Sequence, residues 1–322
     1  MQVDELGSLE SLHVVELPDA ALTDGHVRLN IHACGLNFVD SLMIEGRYQI
    51  KPPVPYRPGS EVAGVITEVA SDVTTVSVGD RVFVPIGIGG FSDNAVVHAS
   101  RVLRIPDNLT DGQAATFMQS YLTAWFAFHH RADIREGDTM LVLGAGGGIG
   151  LAAVDLAVSM GARVIAAASS SEKRQLAMAA GAFATIDVLT EDVKLRAREL
   201  ADGKLDLVYD PVGGDLAEQA LRALASGGQY MVVGFVAGIP KLPANLILLM
   251  NRTVIGVDWG AWVAKNHVAH SAMIVEVLKE IGEGRLRPVE PVSYPMSQAV
   301  QALQDMQNRK IAGKVILVPD FA

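Results

Sequence analysis

The stretch LVLGAGGGIGLAA, Leu141–Ala153, places five glycines within seven residues near the middle of a 322-residue chain. Before the glycines, the apolar run Met140–Leu143 predicts a buried strand. After them, Leu151–Met160 predicts an apolar helix that ends at Gly161. The glycines therefore lie at a strand-to-helix turn, where backbone can approach a pyrophosphate and the N-terminus of a helix offers free N–H groups.

The glycine spacing fits a dinucleotide-binding turn in one of two frames. In the strict frame the first glycine is replaced by Ala145, while the frame Gly144, Gly147, Gly150 is intact. Gly147 would let the backbone approach a pyrophosphate, and Gly150 would let the helix pack on the strand. The alternative is a tight turn of a parallel sheet without a ligand. The predicted phosphate-binding residues are Ala145, Gly146, Gly147, Gly148, Ile149 and Gly150.

From Thr139 onward the chain alternates between strands and helices, which predicts a parallel, doubly wound α/β sheet. The helices include Glu172–Ala180 and Leu216–Ala225. The predicted strands are Met140–Leu143, Arg163–Ala168, Ala184–Asp187, Leu207–Tyr209, Tyr230–Val233 and Val254–Val257.

The first third of the chain reads instead as short strands separated by turns, which predicts a β-rich domain. After the last predicted parallel strand come further helices and the strand GKVILVP, which we expect to return to the β-rich domain. The predicted division is a catalytic domain of residues 1–119 plus 259–322 and a dinucleotide-binding domain of residues 120–258.

Composition restricts the function. The net charge is −10 and no basic run is present, which argues against a nucleic-acid or anionic-membrane partner. Cys34 is the only cysteine, so no disulfide can form within the chain. The N-terminus lacks an apolar signal core, and no segment reads as membrane-spanning. We expect a cytoplasmic protein.

The second predicted strand of the parallel sheet indicates which dinucleotide is bound. Arg163–Ala168 ends without the carboxylate that usually holds the ribose 2′-hydroxyl of NAD. Ser169, Ser170, Lys173 and Arg174 follow instead. Hydroxyl groups and a cation suit a 2′-phosphate, which favours NADPH over NADH as the cofactor. The alternative for the two cations is a solvated helix face.

Seven segments of the chain can be compared with known families. In chain order they are ACGLNFVD, EGRY, PGSEVAGVITEV, VGDRVF, AGGGIG, VYDPVGG and VGFVAGIPKLPANLILLMNRTVIGVDWG. Together they resemble the zinc-free quinone oxidoreductase branch of the medium-chain dehydrogenase/reductase superfamily. The resemblance implies a Rossmann domain inserted into a GroES-like catalytic domain, and a homodimer paired through the edge strand Val254–Val257. Such proteins usually open with an extra strand, so the N-terminus is expected to be clipped.

The resemblance also bears on metal binding. Zinc alcohol dehydrogenases of the superfamily carry cysteine, histidine and cysteine where this chain has Asn37, Ser60 and Gln119. Amide and hydroxyl oxygens are poor substitutes for thiolate and imidazole on Zn²⁺. We therefore expect no metal, and we expect Cys34 to be a buried core thiol.

The resemblance implies a cleft in which Asn37, Tyr48 and Thr123 line the nicotinamide and the substrate. Tyr48 is the candidate hydrogen-bond or proton donor to the acceptor, with solvent as an equal candidate and an aromatic packing role as the alternative. Backbone groups of Gly234 and Phe235 are expected at the nicotinamide carboxamide.

One contact to the 2′-phosphate is missing by the same resemblance. Family members often use a tyrosine after the third strand of the parallel sheet, where this chain has Val188. Arg309, in the C-terminal segment, is expected to compensate for it.

Without a strong Lewis acid, simple alcohols are hard to oxidise, whereas hydride delivery to an electron-poor acceptor remains feasible. The sequence therefore predicts an NADPH-dependent reductase whose small-molecule partner is a quinone or an α,β-unsaturated carbonyl. Two alternatives stay open. One is reduction of enoyl thioesters such as acyl-CoA, and the other is a non-enzymatic, cofactor-bound structural or regulatory role.

Overall fold

The computed structural model of the protein describes residues 1–320. Contacts within the chain divide it into two compact units. The first comprises Met1–Met118 with the segment from Val289 onward, and the second comprises Gln119–Pro288.

The strands of the described chain follow in sequence order. They are β1 (Gln2–Val3), β2 (Leu12–His13), β3 (His26–Leu36), β4 (Val62–Val69), β5 (Arg81–Val84), β6 (Asn94–His98), β7 (Leu103–Arg104), β8 (Thr139–Leu143), β9 (Arg163–Ala168), β10 (Ala184–Asp187), β11 (Leu207–Asp210), β12 (Gln229–Val232), β13 (Thr253–Gly256), β14 (Val292–Pro295) and β15 (Val315–Val318).

The α-helices follow in the same order. They are α1 (Phe38–Ile44), α2 (Asp111–Ala114), α3 (Phe117–Phe126), α4 (Gly148–Ser159), α5 (Ser171–Ala179), α6 (Val193–Leu200), α7 (Gly214–Ala223), α8 (Ala244–Leu248), α9 (Trp259–Val263), α10 (His267–Gly282) and α11 (Ala299–Gln307). Within residues 1–320, no helix combines the length and the apolar character needed to cross a bilayer.

The first unit is built on a largely antiparallel sheet with the strand order β14-β15-β3-β4-β5-β7, and β6 also pairs with β3. Its central strand β3 carries Val27, Leu29 and Ile31 on the buried face, as alternation in a half-buried strand requires. β15 pairs antiparallel with β3, so that Val315 faces Leu36. The C-terminal segment thus returns to the β-rich unit, as the sequence predicts.

The second unit is a parallel sheet with the order β10-β9-β8-β11-β12-β13. β8 is buried along its whole length because helices cover both faces of such a sheet. The six predicted strands are confirmed with each boundary within one residue. The strand order reverses between β8 and β11, so the carboxyl ends of these two strands are where the fold places its ligands.

The two helices that follow β13 belong to a different unit from the one that the sequence predicts. Residues 259–288 were predicted to belong to the β-rich domain, but α9 and α10 lie in the second unit. The ring of Trp262 packs on that of Phe126 with centroids 5.1 Å apart, and the Arg287 N–H donates to Asp155 of α4. The prediction ended this domain at its last strand, whereas packing of these apolar helices extends it.

Candidate functional site

The glycine-rich turn joins β8 to α4 and leaves several N–H groups free. Gly147 is the N-terminal cap of α4, and within the described chain no side chain caps it. Leu151 is the first residue whose N–H bonds back to the cap, at 2.8 Å from the Gly147 oxygen. The amides of Gly148, Ile149 and Gly150 therefore remain as first-turn donors, the arrangement that binds an anionic group.

Two of the glycines are required by close packing. A Cβ at Gly150 would lie 2.3 Å from the Gly144 oxygen, and a Cβ at Gly146 would lie 2.2 Å from the Cβ of Lys173. A Cβ at Gly147 would meet only the Gly144 oxygen, at 3.6 Å. Ala145 is buried and its N–H bonds to Ala167. Neighbouring atoms therefore leave no room for a side chain at Gly146 or Gly150, whereas there is space beside Gly147.

The tip of β9 carries the residues predicted to meet a 2′-phosphate. Ser169 and Ser170 are half-buried there, and the Ser170 hydroxyl caps α5 by accepting from the Lys173 N–H at 3.3 Å. The Lys173 stem packs on Gly146, so the structure brings the glycine turn and this cation together.

Asp187, at the end of β10, was not singled out by the sequence reasoning. It lies beside Ala168 in the strand register, and its Oδ2 lies 3.0 Å from the Arg174 guanidinium. A carboxylate is thus present near the tip of β9, supplied by the neighbouring strand and paired with a cation. Its position at the end of a predicted strand was the available signal.

Asp210, at the end of β11, organises the next two loops and was also missed. Its Oδ1 accepts from the N–H groups of Val212 at 2.7 Å and Gly213 at 2.8 Å. The buried Tyr230 hydroxyl donates to its Oδ2. A Cβ at Gly144 would lie 2.8 Å from Val212, so this loop packs directly on the glycine turn.

Gly234 and Phe235 lie just after β12, at the same edge of the sheet. The Gly234 N–H donates to the backbone carbonyl oxygen of Asp210 at 3.2 Å, and Phe235 is 51% exposed. The structure therefore brings these residues together with the loops that follow β8 and β11.

The other predicted site residues are distributed over both units. Thr123 is half-buried on α3 in the second unit, and its hydroxyl donates to the Gln119 oxygen at 2.6 Å. Tyr48 is half-buried in the first unit, in a bend after α1, where its N–H bonds to the Leu42 oxygen at 3.2 Å. Arg309 is exposed in the turn after α11, with a φ of 58°.

Asn37, in the first unit, is held by three hydrogen bonds. It precedes α1, is 5% exposed, and its backbone N–H donates to Asp40 Oδ2 at 2.8 Å. Its side-chain Nδ2 donates to Glu61 Oε1 at 2.8 Å, and its Oδ1 accepts from Lys314 Nζ at 2.7 Å. The carboxamide is thus held by an anion on one side and a cation on the other.

The charges around Asn37 influence one another. Burial raises the pKa of Asp40 to about 7, and the nearby Glu61 carboxylate acts in the same direction. Hydrogen bonds from the backbone N–H groups of Asn37 and Gly59 lower it again in part. Burial lowers the pKa of Lys314 in spite of the two carboxylates that raise it. Asp40 and Lys314 therefore each respond to the other's charge and to that of Glu61.

Comparison with known proteins supports the same architecture. Residues 23–107 match the alcohol dehydrogenase GroES-like domain, and residues 148–276 match the zinc-binding dehydrogenase family. The chain is 37% identical to the bovine quinone oxidoreductase-like protein 2, covering 95% of this chain and 88% of that protein. It is 33% identical to a quinone oxidoreductase of Pseudomonas aeruginosa, covering 99% of each.

A solved structure agrees with these relatives. Escherichia coli quinone oxidoreductase complexed with NADPH superimposes with a TM-score of 0.85 at 26% identity, covering 99% of each chain. This chain belongs to the quinone oxidoreductase branch of the medium-chain dehydrogenase/reductase superfamily. The predicted combination of a GroES-like and a Rossmann domain is thereby confirmed.

In this member of the superfamily, the positions compared with zinc ligands do not fit zinc. Asn37, Ser60 and Gln119 offer no thiolate or imidazole. The Asn37 oxygen already accepts from an ammonium group. Across residues 1–320, no three His, Cys, Asp or Glu side chains are grouped so as to hold a metal. Cys34 is fully buried, as predicted, and burial raises the pKa of its thiol.

Sequence reasoning missed the residues that hold Asn37. Asp40 and Glu61 lie in the segments ACGLNFVD and PGSEVAGVITEV, and Lys314 lies in the last strand segment, GKVILVP. The signal was present as charged residues within otherwise apolar segments. That these charged side chains meet at Asn37 could not be predicted from the sequence, because Lys314 lies 277 positions after Asn37.

Proposed function

We propose that this chain is a zinc-independent, NADPH-dependent oxidoreductase that transfers hydride to a quinone or an α,β-unsaturated carbonyl. The observation that carries the proposal is how the Asn37 side chain is hydrogen-bonded. Its carboxamide is held between Glu61 and the Lys314 ammonium, at the position compared with a zinc-ligating cysteine. A residue held in this way can orient a cofactor or substrate by hydrogen bonding, but it is a poor metal ligand.

The proposed cofactor is NADPH, and the geometry of the second unit supports it. The free amides of the glycine turn suit the pyrophosphate, with Ala145, Gly146, Gly147, Gly148, Ile149 and Gly150 forming the turn. Ser169, Ser170 and Lys173 are assigned to the 2′-phosphate, as the hydroxyl and cationic groups at the tip of β9. The relative from E. coli is a quinone oxidoreductase that was solved with NADPH.

The remaining cofactor assignments are part of the same proposal. Backbone groups of Gly234 and Phe235 meet the nicotinamide carboxamide, since they lie at the carboxyl end of β12. Thr123 lines the nicotinamide, and Arg309 supplies a second cation for the 2′-phosphate.

The reaction needs little chemistry from the protein itself. NADPH, when bound, supplies the hydride. The side chains position the reactants and stabilise charge that develops on the acceptor oxygen. Asn37 orients the reactants by a hydrogen bond, and Tyr48 donates a hydrogen bond or a proton to the acceptor oxygen, with solvent as the other proton source. Acceptors that spread negative charge onto a carbonyl oxygen fit this set of groups.

An acceptor panel tests the proposal. Oxidation of NADPH and NADH is followed by absorbance with quinones, enones, enoyl thioesters and simple aldehydes, before and after treatment with a metal chelator. The expected result is turnover with quinones or enones that prefers NADPH and survives chelation. Turnover restricted to enoyl thioesters would establish that alternative activity, and NADPH binding without turnover would favour a structural or regulatory role. Loss of turnover on chelation would overturn zinc independence.

We also propose that the chain forms a homodimer through β13. This strand is the edge of the parallel sheet, and Val254 in it is 37% exposed. An unpaired apolar edge is a template for pairing with a second strand. Light scattering coupled to size-exclusion chromatography tests this, with a dimer expected for the wild type and a monomer for Val254→Lys. A wild-type monomer at micromolar concentration would overturn it.

A further inference from the structure

The hydrogen bonds of Asn37 determine which way round its carboxamide lies. Nδ2 donates to the Glu61 carboxylate and Oδ1 accepts from the Lys314 ammonium. Rotating the amide by half a turn would place its oxygen against the carboxylate and its N–H groups against the ammonium. Both contacts would be repulsive, in a region where Glu61 is fully buried and Asn37 is 5% exposed. The two charges together therefore permit one orientation.

The pairing of β15 with β3 brings Lys314 next to Asn37. It immediately precedes β15, and the pairing of Val315 with Leu36 sets it opposite the end of β3, where Asn37 follows. The cation and the carboxamide are thus placed by a strand pair and not by flexible loops, which gives the contact the precision a positioning group needs.

We propose that Lys314 is a positioning residue of the reaction, which acts with Glu61 by fixing the Asn37 carboxamide in the orientation that the proposed reaction requires. The inference rests on the proposed function and deepens it. A carboxamide has two N–H donors, and Glu61 takes one. When the Asn37 Oδ1 is held by Lys314, the second N–H of Nδ2 points in one fixed direction and can donate to a ligand.

A double-mutant cycle tests whether Lys314 acts through Asn37. The variants are Lys314→Gln, Asn37→Ala and the double variant, with kcat measured at saturating NADPH and acceptor. We expect Lys314→Gln to lower kcat by about tenfold or more, because a charge-assisted contact is lost. In the Asn37→Ala background, we expect the same change to alter kcat by less than about twofold. Equal losses in both backgrounds would overturn the proposal.

Matched variants separate positioning from stability. Lys314→Arg keeps the cation and is expected to recover kcat to within about threefold of the wild type. Melting temperatures are recorded for every variant, because a purely structural role would lower the melting temperature and leave kcat of the folded fraction unchanged. If Lys314→Gln does not fold, Glu61→Gln replaces it in the cycle. This change keeps an acceptor for Nδ2 but removes the charge that selects one orientation.

A spectroscopic readout keeps this inference distinguishable from the proposed function. The side-chain amide resonances of Asn37, assigned by their loss in Asn37→Ala, report its orientation without any cofactor. We expect one sharp pair in the wild type and a shifted, exchange-broadened pair in Lys314→Gln. If the wild type reduces no acceptor, the proposed function fails and the resonances decide the positioning role. If turnover is present but the resonances are unchanged in Lys314→Gln, the positioning role fails.

Discussion

Gly146 and the aliphatic stem of Lys173 are in direct contact. A methyl group at position 146 would lie 2.2 Å from the Cβ and 2.9 Å from the Cα of Lys173. The glycine turn and the first turn of α5 therefore approach to backbone distance, which couples the proposed pyrophosphate site to the proposed 2′-phosphate site.

Gly146→Ala is expected to destabilise the second unit by roughly 1–3 kcal/mol, since the backbone of α5 must shift to admit the methyl group. Thermal and denaturant unfolding measure this. Gly147→Ala is the matched control for stability, because its added Cβ would meet only the Gly144 oxygen at 3.6 Å, and its φ of −98° suits alanine. Equal stability of the two variants would contradict the close contact.

Lys173→Ala is expected to weaken NADPH binding by about tenfold, since the charge-assisted contact to the 2′-phosphate is lost. NADH binding should change little, because NADH lacks this phosphate. Fluorescence titration of both cofactors measures the difference. Lys204→Ala removes an exposed cation from the same unit and should leave both affinities unchanged. Equal loss for NADPH and NADH would remove the 2′-phosphate role.

The buried Asp40 is expected to make stability fall as pH rises. Its pKa is about 7 in the folded protein, compared with an ordinary value near 4. Between these values the folded chain keeps a proton that the unfolded chain has released. The stability contributed by Asp40 is therefore complete below about pH 4 and is lost as pH rises through 7, with a slope of up to about 1.4 kcal/mol per pH unit.

Asp40→Asn removes this titration, so its free energy of unfolding should decrease less between pH 5 and 8 than that of the wild type. Urea unfolding across this range gives the difference between the two curves. The charged groups that influence Asp40, Glu61 and Lys314, remain in both proteins. Cys34 and Tyr56, whose pKa values Asp40 raises, are also present in both. Asp107→Asn, an exposed position in the same unit, controls for net charge. Parallel curves for the wild type and Asp40→Asn would contradict the prediction.

Tyr230→Phe is expected to destabilise the protein by roughly 1–3 kcal/mol, because it leaves a buried carboxylate oxygen of Asp210 without its donor. Denaturant unfolding measures the loss. Tyr209→Phe is the control, since within the described chain its buried hydroxyl has no hydrogen-bond partner. That change should leave stability equal or higher, and a similar loss in both variants would show that the Asp210 contact is not the cause.

Tyr48→Phe tests the donor to the acceptor oxygen. We expect kcat to fall by at least about tenfold while NADPH affinity stays the same, because only the reacting oxygen loses its donor. Steady-state kinetics and cofactor titration separate the two effects. Tyr56→Phe removes a buried hydroxyl of the same unit that has no partner among residues 1–320, and should leave kcat unchanged. An unaltered kcat in Tyr48→Phe would assign the proton to solvent.

Local pattern was sufficient to predict most of the fold. The parallel sheet was readable because each buried strand is a continuous apolar run followed by a turn and a helix, and these signals lie within a few residues of each other. The return of the C-terminal strand to the β-rich unit was also predicted, and β15 pairs with β3 accordingly. The position of α9 and α10 was not, since periodicity shows that a helix has an apolar face but not which core that face covers.

The same distinction holds for the candidate site. Residues close together in the chain, such as the glycine turn and the Ser169–Lys173 segment, were identified from sequence because their spacing carries the chemistry. Only the tertiary structure showed that Asp187 supplies a carboxylate beside β9, and that Lys314 and Glu61 hold Asn37 from opposite sides. Sequence by itself determined which groups are present and which local turns they occupy. Which charges meet was decided by strand pairing between distant segments, whose register depends on the packed sheet.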